Sequence, residues 1–125
     1  MIDSVKTNAN GNYSFTVPSG EYHLTFVTNH AWGGVNSIDG LIIIKDFVGL
    51  DTLNGLKDIV ADINGDGYLN SIDALLILKR FVGQLNSFIV SDWEFEKPDI
   101  LVNDNNILQD IKGLCAGDVN GSYIP

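Results

Sequence analysis

An internal repeat narrows the possible folds more than any other feature: residues 36–49 return 34 positions later as residues 70–83. Both copies open on Asn-Ser-Ile-Asp (Asn36, Ser37, Ile38, Asp39 and Asn70, Ser71, Ile72, Asp73), run through an apolar body, and close on Phe-Val-Gly at Gly49 and Gly83. A polar start, a body of about three turns and a glycine able to take the left-handed C-cap conformation describe a short helix, so the same helix is expected twice. Residues 41–44 and 75–78 are unbroken hydrophobic runs, which at ~100° per residue cover nearly the whole circumference of a helix. Packing one copy on the other buries one stripe. The rest needs the domain's own strands, the C-terminal segment or a partner, and the strands are expected to cover most of it.

Directly before the second helix, residues 62–73 read Asp-Ile-Asn-Gly-Asp-Gly-Tyr-Leu-Asn-Ser-Ile-Asp. Calcium takes about six to eight oxygens at ~2.3–2.6 Å, and a twelve-residue loop supplies them at alternate positions. Asp62, Asn64 and Asp66 offer side-chain oxygens, and Tyr68 offers its main-chain carbonyl. Asn70 gives a side-chain or water-mediated contact, Asp73 a carboxylate able to bind through both oxygens, and Gly67 permits the sharp bend. A polar turn capping a helix is the plainer alternative, since Asp and Asn serve both roles. Six ligand positions in register with a bend glycine favour the metal.

The first copy has lost this loop. The positions matching Asp62, Asn64 and Asp66 are Thr28, His30 and Trp32; Trp32 cannot ligate, and His30 is a poor ligand for calcium. Asn36 and Asp39 remain, and the tail Asp118-Val119-Asn120-Gly121-Ser122 repeats the opening of the intact loop, Asp62-Ile63-Asn64-Gly65-Asp66. Either the first site is vestigial and the tail a solvated turn, or the site is split. In the split arrangement Asp118, Asn120 and Ser122 join Asn36 and Asp39 around a second calcium.

Around this repeat the chain reads as short strands and loops. Over residues 5–28 Asn10-Gly11 signals a hairpin, Tyr13, Phe15 and Val17 alternate with polar residues, and Tyr22, Leu24 and Phe26 do so after a Pro18-Ser19-Gly20 turn. Leu53, Leu56, Ile59 and Val60 space out a short connecting helix. Residues 87–96 read as extended around Phe88, Val90, Trp93 and Phe95, and Pro98 closes them. Residues 99–115 are ambiguous; Asp104-Asn105-Asn106 suggests a turn or cap, and Ile107, Leu108 and Ile111 a short helix. The single cysteine, Cys115, excludes an internal disulfide and is expected as a small buried residue. No stretch approaches the length of a membrane span. The start, Met1-Ile2-Asp3-Ser4, lacks signal-peptide character and falls within a β pattern, as expected of a piece of a longer protein.

Seven Lys and Arg face sixteen Asp and Glu, a formal net charge of −9 that argues against nucleic acid and anionic membranes and suits a hard cation. Nothing makes a catalytic case. His23 and His30 are the only histidines, and Asp58, Asp92, Glu94 and Glu96 are better read as surface acids than as a glycosidase pair. Trp32 and Trp93 could stack on sugars, or could be buried between elements.

The last ligand is Asp73 rather than Glu, and no long helix enters the loop, which departs from the EF-hand pattern. A loop and helix unit that ends in Asp, is duplicated and closes on Gly resembles the dockerin family over residues 34–85. The stretch Asn10 to Tyr22, with its NGNYSFTVPSGEY run, resembles the final strands of carboxypeptidase regulatory-like domains. The dockerin resemblance implies a non-catalytic, calcium-dependent module that binds cohesin domains in extracellular assemblies. It implies partner contacts from Ser71, Ile72, Lys79 and Arg80, with Ser37, Ile38, Lys45 and Asp46 as the pseudo-symmetric set. The two sets differ at Arg80 and Asp46, so the faces should not be interchangeable. The expected fold is α+β: two pseudo-symmetric calcium-loop and helix units packed with short antiparallel β segments. Residues 1–28 form the β segment, 29–85 the module and 86–125 an extension closing on it. The expected setting is the outside or surface of a bacterium, in a polysaccharide-degrading context, without membrane insertion. A calcium-stabilised spacer or terminal cap, and a carbohydrate-binding module using Trp93 and Tyr68, are the alternatives. Exposure of Ser71, Ile72, Lys79 and Arg80 separates assembly module from spacer.

Overall fold

The computed structural model describes residues 4–123; Met1, Ile2 and Asp3, on which part of the reading of the chain's start rests, lie outside the described residues, as do Ile124 and Pro125. The fold is α+β. In chain order the elements are β1 (Gly20–His23), α1 (Ser37–Phe47), α2 (Leu56–Ala61), α3 (Ser71–Phe81), β2 (Trp93–Phe95), β3 (Asp99–Val102) and β4 (Gly113–Cys115). They fall into two compact units. One holds residues 4–24 and Pro98–Gln109, the other Thr25–Lys97 and residues 110–123.

In the first unit β1 and β3 pair antiparallel, with Gly20 opposite Val102 and His23 opposite Asp99. The His23 ring is bonded to the Asp99 carboxylate, and the Tyr13 hydroxyl donates to the Gln109 carbonyl at 2.6 Å. Tyr13, Phe15 and Val17 are half-buried between exposed neighbours, as the period of two requires, yet residues 5–19 form no strand. The turn at Asn10-Gly11 closes on Asn8, whose N–H donates to the Asn12 carbonyl. A ladder forms only where residues 99–102 run alongside.

The second unit is built on the repeat. At each helix start the Asn side chain accepts an N–H from within the first turn, Ile38 N to Asn36 Oδ1 at 2.8 Å and Ile72 N to Asn70 Oδ1 at 2.9 Å. The Asp three residues on returns the favour to the Asn N–H, a capping box in both copies. Both helices end the same way. Leu50 N bonds Lys45 O and Gln84 N bonds Lys79 O, each at 2.8 Å, around Gly49 at φ 82° and Gly83 at φ 83°. A side chain there would strain the left-handed backbone. The connecting helix α2 forms as expected.

Ile43 of α1 and Ile77 of α3 share a core with Val35, Val60, Ala61, Ile63, Ala74, Ala116 and Val119. Cys115 is fully buried beside it. The strands do not cover the remaining apolar stripe of the helices, contrary to expectation. β2 and β4 pair with each other and pack chiefly on α2, while Ile38, Leu41, Ile72 and Leu75 stay 50–54% exposed. The helix suggested by Ile107, Leu108 and Ile111 does not form, and Leu108 is 91% exposed: without a surface to bury its apolar side, a short helix does not repay its ordering cost. Of residues 87–96 only 93–95 are strand.

Candidate metal centre

The loop between α2 and α3 turns on Gly65 and Gly67, at φ 70° and 84°. These left-handed bends fold the acidic side chains inward. Asp62 Oδ2 accepts from Gly67 N at 2.8 Å, Asn64 Oδ1 from Asp66 N at 3.3 Å, and Asp66 Oδ1 from Tyr68 N at 3.0 Å. Asp73 reaches back from α3, its Oδ1 accepting from Ile63 N at 3.2 Å and its Oδ2 from Asn70 N at 3.1 Å. One carboxylate oxygen each of Asp62, Asp66 and Asp73 lie within 4.8 Å of one another.

Three carboxylates gathered this closely repel one another. Asp73 is fully buried. Burial first, and then the charges of Asp62 and Asp66, push its carboxyl above its ordinary value, against the opposing pull of main-chain bonds from Asn70 and Asn64. Asp62 Oδ1 is buried without a hydrogen-bond partner, and such an oxygen costs free energy unless something positive meets it. Hard oxygen donors around an orphaned carboxylate oxygen fit calcium.

A second cluster lies at the start of α1. Asp39 Oδ1 accepts from Val119 N at 2.9 Å, as Asp73 Oδ1 does from Ile63 N. Asp118 Oδ2 accepts from Tyr123 N at 3.1 Å, the counterpart of Asp62 and Gly67. Asn120 Oδ1 accepts from Ser122 N at 3.2 Å, the counterpart of Asn64 and Asp66. Gly121 stands at φ 67° where the intact loop has Gly65 at φ 70°. Asp39 and Asp118 are both fully buried. Burial raises the Asp39 carboxyl above its ordinary value, and the nearby Asp118 charge adds to it. Asn36, the cap of α1, bonds Asp39 through its N–H at 2.9 Å. Thr28, His30 and Trp32 have other partners: Thr28 Oγ1 accepts from His30 N, His30 O accepts from Trp93 Nε1, and Trp32 Nε1 donates to Ala116 O.

Of the residues that the dockerin resemblance marks for a partner, Ser37, Ile38, Lys45, Ser71, Ile72 and Lys79 are exposed. Arg80 is not. Its side chain is 8% exposed, held at 2.8 Å by Asp92, with the guanidinium carbon 3.7 Å from the centre of Trp32 and 4.7 Å from that of Phe88. A guanidinium stacked on rings and paired with a carboxylate is spent within the fold. Trp32, Phe88 and Asp92 were placed singly from the sequence, Asp92 as a surface acid, and were not joined to Arg80. The signal for them was Arg80 standing where the first copy has Asp46, a cation without a visible counter-charge in its own repeat.

Of the other acids, Asp58 is exposed on α2, while Glu94 and Glu96 are engaged. Glu94 lies 3.8 Å from Lys97, and Glu96 Oε1 accepts from Lys112 N. Trp93 is half-buried, stacked on Phe95 and perpendicular to Tyr123, while Tyr68 is 73% exposed.

Residues 33–82 match the family model described as the dockerin type I domain. No curated protein and no solved structure matches the chain. Dockerin domains are non-catalytic, bind calcium and cohesins, and occur in extracellular cellulosome proteins.

Proposed function

We propose that this chain, whose residues 33–82 match the dockerin type I domain model, is a calcium-dependent assembly module that docks a cohesin-type partner through α1 and α3. Asp62, Asn64, Asp66, Tyr68, Asn70 and Asp73 hold the ion. When bound, calcium supplies the positive charge that keeps the acidic loop closed and the start of α3 fixed. The chain's own side chains do the recognising. The carrying observation is the stripe left bare by the fold: Ile38, Leu41, Ile72 and Leu75, about half exposed, repeat across the two helices with Ser37, Ser71, Lys45 and Lys79 beside them. Apolar surface of this kind, rimmed by polar residues, marks an interaction site. Arg80, turned inward, takes no part.

A spacer with no partner would be expected to hide this stripe, so its exposure favours docking. No helix among the described residues is long and apolar enough to cross a membrane. The setting we propose is extracellular or at a bacterial surface, with the module appended to a polysaccharide-degrading protein.

The test is capture of the chain on immobilised type I cohesin domains. Binding is expected with calcium and not with chelator. Ile72→Glu or Ile38→Glu should weaken it at least tenfold while leaving calcium binding intact. Full calcium binding with no capture by any cohesin would instead leave the spacer reading.

A further inference from the structure

We propose that the C-terminal segment supplies half of a second calcium site, with Asp118, Asn120 and Ser122 joining Asn36, Asp39 and the Gly34 carbonyl, so that the ion latches this segment to α1. The inference rests on the calcium reading above. It extends the metal-binding module to residues well outside the 33–82 match.

Asp39 and Asp118 are both fully buried. Neither is paired with Lys, Arg or His among the described residues, whose ion pairs join His23 to Asp99, Arg80 to Asp92 and Lys97 to Glu94. Two carboxylates buried side by side without a cation are costly, and hydrogen bonds from main-chain N–H groups do not cancel their mutual repulsion.

The surroundings are shaped for a closed shell. Gly34, at φ 79°, lies so close to the tail that a Cβ there would stand 2.9 Å from Asp118 Oδ2 and 2.5 Å from Tyr123 Cβ. A Cβ at Gly33 would meet the Tyr123 ring at 2.3 Å. Only bare backbone lets the tail approach. Ser122 Oγ donates to the Gly34 carbonyl at 2.9 Å, and Gly34 occupies the repeat position of Tyr68, whose carbonyl is a ligand of the intact loop. Tyr123 closes the segment from outside, its hydroxyl donating to Ala31 O at 2.9 Å.

Ser122 stands where the intact loop has Asp66, so this site carries one carboxylate fewer. Calcium affinity follows the charge of the ligand set, so the split site should fill second.

Calorimetric titration of the whole chain with calcium is expected to give two ions per chain, the second weaker. Asp118→Ala should leave one tight ion, with α-helical circular dichroism retained. Ser122→Asp alters an exposed residue, restores the missing carboxylate and should tighten the second ion about tenfold. Hydrogen exchange at Val119 and Tyr123, whose amides bond Asp39 and Asp118, should slow as the second ion binds. One ion per chain in both the parent and Ser122→Asp, abolished by Asp73→Ala, would overturn the split site and leave the proposed function standing. No calcium bound at all would overturn both.

Discussion

At the residue scale the chain uses one side chain for two tasks. Asp39 and Asp73 each complete the capping box of a helix and each stand inside a cluster of oxygens. The helix N-terminus favours their charge through its dipole, but the fully buried position opposes it, and burial prevails, raising both carboxyls above the ordinary value of 3.8. The sign of the pH dependence follows. An acid whose folded value is raised contributes stability that is present below the unfolded value and is lost as pH rises through the folded one. In chelator, the melting midpoint should therefore rise as pH falls through the raised folded-state values of these two carboxyls. In saturating calcium it should fall over the same range, because protons compete with the ion for the same oxygens. Scanning calorimetry in the two conditions checks this, and slopes of the same sign would separate these carboxylates from metal binding.

Helices are the elements that the sequence made plain. A repeat, a cap residue and a terminal glycine are local signals that need no tertiary partner to be read, and α1 and α3 end within a residue of where they point. The one weak position is Gly40, in the interior of α1, where α3 has Ala74. A Cβ at Gly40 would meet Leu78 at 3.5 Å and the Ala74 carbonyl at 3.7 Å, ordinary contact distances. Glycine inside a helix costs about 0.5–1 kcal/mol relative to alanine. Gly40→Ala should thus raise the melting midpoint by a few degrees, without touching calcium affinity; a lower midpoint would mean that α1 and α3 pack too tightly for a methyl. The strands were less legible because a strand is defined by its neighbour. Alternation at Tyr13, Phe15 and Val17 is present, but nothing in those residues tells that β1 pairs with residues 99–102. The acidic loop was visible because its candidate ligands fall within one twelve-residue stretch. The second cluster was visible only as a likeness between residues 118–122 and 62–66, and the inward turn of Arg80 depended on Phe88 nearby and on Trp32 far back in the chain, neither marked by any motif.

On the scale of the whole molecule, the division into two units sets the candidate binding residues apart from the rest. Every residue of both oxygen clusters, and the whole exposed stripe, lies in the unit of Thr25–Lys97 and residues 110–123. The chain leaves that unit after Lys97 and re-enters at residue 110, and the two crossing points are neighbours: β2 and β4 pair antiparallel, and Glu96 N donates to Lys112 O at 2.9 Å. Residues 98–109, with Asp110 at the point of re-entry, are thus an excursion out of a hairpin. Replacing them with Asn-Gly places a two-residue turn between Lys97 and Ile111, the loop length whose twist suits antiparallel strands. Shortening the loop also lowers its closure entropy, by about 1–2 kcal/mol. A chain starting at Thr25 and carrying this turn should keep the parent's calcium stoichiometry and helix content, with a melting midpoint equal or higher. Circular dichroism and calcium titration read the outcome. Loss of either ion in a variant that keeps its helices would show that residues 4–24 or 98–110 help to form the clusters, and the binding unit would have to be redrawn to include them.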